Sequence, residues 1–331
     1  MPAHFHRLRQ WARACALGMP ALCAAGSAAA SAADYPSAPI TLVASSTAGG
    51  GVDVTARLIA RQLAAILGQQ VVVENRPGAS GTIAGSIVAR APANGYTLFF
   101  TASNLVQSAA QPRKPPYALT DFAPVSKVGV TNLVLVANPG RVQARTLAEL
   151  VAEIKARPGK YAFGSYGSGT SAHIYGELLN RSAGIAMVHV PYKGVAPAVN
   201  DVVSGQIPLA FADIGTIAPF LAAGRLRALA ITGARRFPGL PEVPTFKESR
   251  MDGFELSGWY GVLAPAGTSA AIVSRLSQAL DKAVATPDVQ RALMERGVVP
   301  VGGSSEQFQR DIVAEEAQWT RLIEDNGIRG F

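Results

Sequence analysis

Residues 44–57 read Ala-Ser-Ser-Thr-Ala-Gly-Gly-Gly-Val-Asp-Val-Thr-Ala-Arg; they follow the apolar run Ile40–Val43 and lead into helical spacing at Val54, Leu58, Leu63 and Leu67. A strand that turns on three glycines into a helix leaves backbone N–H groups without partners at the positive end of the helix dipole. Such a turn is a ready anion site. Ser45, Ser46, Thr47, Gly50 and Gly51 are its candidate donors. Asp53, in the first helical turn with Arg57 four residues on, is open to two readings. It offsets the dipole and pairs with Arg57, or it orders donors and water around a ligand.

A second turn of this kind follows Tyr161–Phe163. Between 164 and 171 the chain carries three glycines and the hydroxyls of Ser165, Ser168, Thr170 and Ser171, and helical spacing resumes at Ile174 and Leu178. One hydroxyl suffices to cap a helix. The surplus, with Gly167 and Gly169, offers neutral donors at the carboxyl end of a strand, where α/β folds bind ligands. Three further positions complete the candidate set: Ser103 after the strand 97–101, Tyr192 as a pocket wall, and Asp213 at the end of the strand 207–212. Asp213 is the available counter-charge for a ligand that carries an ammonium group, and Lys193 reads as a solvated rim charge.

Other chemistries lack their residues. Gly167–Ala172 fits the loose dinucleotide form G-x-G-x-x-A, but the next strand, 186–190, ends in no acid to hold a ribose. There is no G-x-x-x-x-G-K-[ST] and no G-x-S-x-G. Beyond residue 33 the only histidines are His173 and His189, with no acidic residue clustered beside them, so neither a metal site nor a Ser-His-Asp triad has local support. No cofactor is expected. The chain is +8 by formal charge, yet no basic run exceeds Arg235-Arg236 and the cations are spread through helices, which argues against a nucleic-acid partner.

Residues 1–33 hold basic residues without an acid, then an alanine-rich apolar stretch, then Ser31-Ala32-Ala33. That is the order of a secretory signal peptide cleaved near Ala33, and it implies a periplasmic product. Cys15 and Cys23 both lie inside it, so the mature chain has no disulfide or thiol chemistry; Pro20-Ala21-Leu22 ahead of Cys23 argues against a lipid anchor.

The elements that must position the two turns alternate. Strands are read at 40–45, 71–75, 97–101, 133–137, 160–164, 187–190, 207–212, 227–232 and 258–264. Helices are read near 52–67, 81–91, 146–156, 170–182, 196–203, 215–223, 269–285, 287–296 and 305–326. The rhythm implies an α/β architecture of largely parallel, mixed sheets covered by helices on both faces. Proline-rich stretches at 111–124 and 237–245 are read as loops.

An ordered series of motifs carries a resemblance. It runs through Pro39-Ile40-Thr41-Leu42-Val43, Gly49-Gly50-Gly51-Val52-Asp53, Val71-Val72-Val73-Glu74-Asn75-Arg76-Pro77-Gly78-Ala79 and Asn94-Gly95-Tyr96-Thr97-Leu98. It continues in Pro191-Tyr192-Lys193-Gly194, Ala223-Gly224-Arg225-Leu226-Arg227-Ala228-Leu229-Ala230 and Leu240-Pro241-Glu242-Val243-Pro244-Thr245. In these the mature chain resembles the Bug, or tripartite tricarboxylate transporter, family of periplasmic substrate-binding proteins. The resemblance implies a two-lobed type II periplasmic binding protein with a hinged cleft, a non-enzymatic monomer. It implies capture of a small organic acid or amino acid between loops 45–53 and 165–171 for delivery to a membrane permease. A ligand-sensing partner of a membrane sensor and an exported hydrolase are the alternative readings. Lobe 1 is expected at 34–136 plus 255–331 and lobe 2 at 137–254, with crossings near 135–141 and 250–257. The chain departs from the family at Ser45-Ser46-Thr47 and Ala48, where members usually carry a bulkier residue and prolines.

Overall fold

The computed structural model describes residues 35–111 and 114–328. The expected signal peptide and cleavage position lie outside the described residues, as do both cysteines.

The first sheet has the order β11-β4-β10-β3-β1-β2. It is built from β1 (Ile40–Ala44), β2 (Val71–Asn75), β3 (Thr97–Ala102), β4 (Phe122–Thr131), β10 (Gly258–Pro265) and β11 (Val298–Pro300). Its helices are α1 (Gly51–Leu67), α2 (Thr82–Ala89), α3 (Asn104–Ala110), α8 (Ala270–Ala285), α9 (Pro287–Glu295) and α10 (Ser305–Asp325). The second sheet has the order β7-β6-β8-β5-β9. It contains β5 (Leu133–Ala137), β6 (Ala162–Ser165), β7 (Val188–Pro191), β8 (Leu209–Asp213) and β9 (Arg227–Ile231), covered by α4 (Leu147–Ala156), α5 (Ser171–Ala183), α6 (Val195–Ser204) and α7 (Ile214–Ala222). The strand-and-helix rhythm is thus realised as two mixed sheets. Antiparallel pairings are more numerous than the rhythm implies, because β5 and β10, each just past a crossing between sheets, run against both their neighbours.

Three elements correct the sequence reading. The stretch 111–124 is not loop throughout, because β4 begins at Phe122 and contains Pro124. Proline cannot donate to a ladder, and the β10–β4 register shifts beside it, between Val262 and Leu263. Helix α3 and strand β11 are additional. The first crossing lies at Asn132, not within 135–141: β5 pairs along its whole length with β8 in the second sheet, so the expected boundary at 136/137 cuts a strand. The turn at 138–140 marks the far end of β5, where the Asn138 amide donates to Val202 O.

The two sheets are not joined by those crossings alone. Helix α10 follows β11 of the first sheet, yet its Trp319 ring lies 5.5 Å from Tyr175 of α5, and Arg181 of α5 donates to Gly327 O. Tyr175 in turn stacks 5.4 Å from Phe254, in the segment that leads back toward β10. The buried cluster around these rings draws on both halves of the chain. Among the described residues no helix is long and apolar enough to cross a membrane.

Candidate functional site

The carboxyl ends of the parallel strands β1, β3, β6 and β8 supply Ser45, Ser103, Ser165 and Asp213, the crevice position expected of α/β sheets.

At the first turn, the helix start is organised from within and left open at its tip. Ser46 Oγ accepts from the Asp53 amide at 3.2 Å and donates to Thr47 O, which also accepts from Gly50 N. Asp53 is 2 % exposed. Its carboxylate accepts from Gly49 N at 2.8 Å, Asn75 Nδ2 at 2.9 Å and Arg57 Nε at 2.9 Å. Burial pushes the Asp53 carboxyl up, but those donors outweigh it and hold its pKa below the ordinary value. Asp53 therefore acts on the loop, fixing its shape. Ser45 is buried and accepts from Thr101 Oγ1 at 3.2 Å. The amides of Gly51 and Val52 make no hydrogen bond among the described residues. They remain the donors aimed outward at the positive end of a 17-residue helix.

Tyr260 of β10 closes over that end. A Cβ added at Gly51 would lie 2.7 Å from its hydroxyl, so the close approach requires glycine there. Tyr260 stacks on Phe100 at 6.3 Å and is 8 % exposed, and its hydroxyl has no hydrogen-bond partner among the described residues. Burial, then the charge of Asp213 and the nearby Tyr166, push this hydroxyl's pKa far up, so it is a neutral donor.

The second turn is tighter. Gly169 adopts φ +75, Thr170 Oγ1 donates to Gly167 O at 2.7 Å, and the Ser171 hydroxyl meets Tyr166 Oη at 2.6 Å. Ser168 is exposed. Ser165 is fully buried; its hydroxyl contacts His189 Nε2 at 2.6 Å and donates to Gly167 O. This is a serine–histidine contact without access for a substrate. His189 stacks at 3.8 Å on His173, whose Nδ1 accepts from Gly169 N at 3.1 Å. Burial lowers His173 to about 4; burial, then the adjacent His173, lowers His189 to about 4. Both rings are therefore neutral at pH 7 and serve as a platform for the loop.

Two neighbouring segments link the turns. Gln111, at the end of α3, donates to Gly169 O at 2.8 Å. The segment 79–82 forms a lip: a Cβ on Gly81 would lie 3.2 Å from Ser45 Cβ, and one on Gly167 would lie 3.9 Å from Ser80 Oγ. Ala79 and Ser80 both hold positive φ, a conformation costly for residues with a side chain, and the Asn104 amide donates to Ser80 O.

Two candidates have their side chains engaged by neighbouring residues. Tyr192 donates its hydroxyl to Asp201 at 2.7 Å and packs with the core under α6. Ser103 immediately precedes α3, and its Oγ accepts from the Gln107 side-chain amide at 3.2 Å. Sequence reasoning missed Tyr166, Tyr260, Gln111 and the lip 79–82. The Asn-Arg-Pro-Gly-Ala run signalled the last of these, since two small residues after Pro-Gly mark a turn.

Comparisons with known proteins identify the family. Residues 55–328 match the model of the tripartite tricarboxylate transporter family receptor, TctC. Protein BugT of Bordetella pertussis is 37% identical over 309 residues, covering 92% of this chain and 94% of its own. Among solved structures, an R. palustris protein with adipate superposes with a TM-score of 0.83 at 34% identity, covering 89% of this chain and 99% of its own. The periplasmic binding protein BugD gives 0.82 at 30%, with the same coverage. MatC from Rhodopseudomonas palustris with bound malate gives 0.80 at 28%, covering 87% of this chain and all of its own. These are substrate-binding proteins and not enzymes, and the fold is that of a periplasmic binding protein. The chain belongs to the tripartite tricarboxylate transporter receptor family, the Bug proteins among it.

Proposed function

We propose that the protein captures a small organic acid between the turns 45–53 and 165–171 and delivers it to a tripartite tricarboxylate-type permease. The observation that carries this reading is the pair of amides, Gly51 and Val52, without partners among the described residues and beside the Tyr260 hydroxyl, in loops that contain no lysine or arginine. Burying a carboxylate costs several kcal/mol. A helix terminus returns ~0.3–1 kcal/mol and each hydrogen bond to the charge ~1.5–3, so one turn alone does not suffice. Donors from both sheets must meet on the ligand, which makes binding and closure one event. The acids bound by its relatives, adipate and malate, fit the same demand.

The test is a thermal-shift screen of the chain from residue 34 onward against mono-, di- and tricarboxylates, amino acids and aromatic acids. A ligand at 100 times its dissociation constant adds about 2.7 kcal/mol of stability. Stabilisation by organic acids and not by neutral analogues is expected. A protein stabilised by none of the acids, or by cations instead, refutes the reading. Co-purification with a three-component permease tests the delivery step.

A further inference from the structure

Helix α2 carries an exposed aliphatic stripe just beyond the lip. Ile83 is 49 % exposed and Ile87, one turn on, is 41 % exposed. With Thr82, Arg90 and Pro116 they line a surface groove of about 430 Å³. A second cavity of about 580 Å³ adjoins it: Thr82 and Pro116 line both, and Ser80, Ser108, Gln111 and Lys114 also line the second. The first cavity is aliphatic, the second is rich in hydroxyls, and each holds one cation.

No acidic residue lines either cavity. None occurs anywhere between Glu74 and Asp121, a stretch that carries Arg76, Arg90, Arg113 and Lys114. Arg76 pairs with Glu74, whereas Arg90 and Lys114 enter no ion pair among the described residues. Lys114 Nζ donates to Ala109 O, which uses one of its three hydrogens.

This chemistry selects the occupant. Two copies of the chain joined through this face would set Arg90 and Lys114 against the same cations with no acid between them. A bilayer takes up a protruding amphipathic face, and these are recesses walled by Pro116. A protein helix with aliphatic residues four apart and acids beside them supplies what both cavities lack. Gln111 adds a condition. Its amide, which lines the second cavity, donates to Gly169 O of the second turn, and Ser80 Oγ lies 3.9 Å from where a Cβ on Gly167 would stand. The wall of the cavity and the contact between the turns are thus the same side chains, so separating the turns dismantles the wall.

Resting on the receptor reading above, we propose that the groove along α2 is the docking surface for an acidic amphipathic helix of the membrane partner, complete only while the two turns are held together. The partner thereby distinguishes a closed receptor from an open one.

Fluorescence anisotropy tests this with a labelled synthetic helix made of two tandem copies of Glu-Leu-Ala-Ala-Ala-Leu-Glu, beside the same helix with lysine in place of glutamate. The wild-type chain should bind the glutamate helix at least about tenfold more tightly than the lysine helix. Ile87→Asp and Arg90→Glu, both at exposed positions away from the turns, should each weaken the glutamate helix by at least about tenfold and leave the melting temperature and the affinity for organic acids unchanged. Gln111→Ala should weaken it by about three- to tenfold. No binding of the glutamate helix at about 1 mM, equal binding of the two helices, or affinity untouched by Ile87→Asp and Arg90→Glu overturns the docking surface. So does binding to phosphatidylglycerol vesicles, or self-association in sedimentation, that Ile87→Asp abolishes, because the occupant is then a lipid surface or a second copy. Each of these results spares the receptor reading while organic acids still stabilise the wild-type chain. A wild-type chain that no acid stabilises overturns that reading, and the docking surface with it.

Discussion

Gly51→Ala separates ligand binding from folding at the tip of α1. Gly51 is exposed and lies in ordinary helical backbone, so alanine there gains ~0.5–1 kcal/mol of conformational entropy. The added methyl would stand 2.7 Å from Tyr260 Oη, too near for any real contact, and Tyr260 is stacked on Phe100 and cannot swing freely. Forcing the ring aside costs about 1–3 kcal/mol. The two effects leave stability within about 2 kcal/mol of wild type. Affinity falls much further. The methyl occupies the approach to the Gly51 and Val52 amides and displaces the tyrosine donor, removing at least one hydrogen bond to a carboxylate, ~1.5–3 kcal/mol. That is about a 10- to 100-fold rise in dissociation constant by calorimetry. Gly49→Ala is the control: its φ of +81 strains an alanine, yet nothing lies within 4 Å of the added atom. Gly49→Ala should lower the melting temperature and leave affinity within about threefold. Gly51→Ala that folds and binds as wild type refutes the assignment of α1 as the anion site.

Gln111→Ala removes the side-chain bond from α3 to Gly169 O, so the unliganded protein should show a larger radius of gyration in solution scattering and about three- to tenfold weaker binding; an unchanged curve and affinity contradict the latch. Glu315, which accepts from Trp259 Nε1 and faces Lys127 and Asp311, is raised to about 7 by burial, so its penalty is absent below about 4.5 and grows as pH rises through about 7. Glu315→Gln should therefore raise the melting temperature at pH 8 and leave it unaltered at pH 4.5; a gain equal at both pH values refutes this. The two histidines have the opposite sign: their pKa values are lowered from 6.5 to about 4, so their stabilisation is full above about 6.5 and is lost as pH falls toward 4. In the Glu315→Gln background, differential scanning calorimetry should show stability falling between pH 6.5 and 4, and a flat profile contradicts it. Trp259 lies beside the second crossing and Trp319 packs on the second lobe, so an acid ligand should change the fluorescence of both Trp319→Phe and Trp259→Phe variants. Silence in both shows that the lobes do not move on binding.

Sequence sufficed where the signal is local. The turns at 45–53 and 164–171 could be read because glycines, hydroxyls and the change from strand to helix periodicity are all contiguous, and the open amides at Gly51 and Val52 are a consequence of that turn alone. Strand β4 was not legible. Its pattern is broken by Pro124 and by Lys127, which is buried because Asp311 of α10 neutralises it at 2.6 Å, and by Gly129, against which Val299 O packs. Each of those residues makes sense only through a partner distant in the chain. Tyr260 escaped notice for the same reason: antiparallel pairing with β3, opposite Ala102, brings it to α1, and nothing near residue 260 encodes that register. Asp53 shows what sequence left open: its Gly49 and Arg57 contacts are local, whereas the Asn75 contact that completes its donor set comes from the β1–β2 pairing.

The most direct test is a crystal structure of the chain from residue 34 onward with its best-binding organic acid. A carboxylate oxygen should lie about 3 Å from the Gly51 or Val52 amide and from Tyr260 Oη, with the turn at 165–171 closing the other side and no lysine or arginine in contact. An acid bound outside the gap between the two sheets, or held there by a cationic side chain while the α1 amides stay unoccupied, would contradict the account.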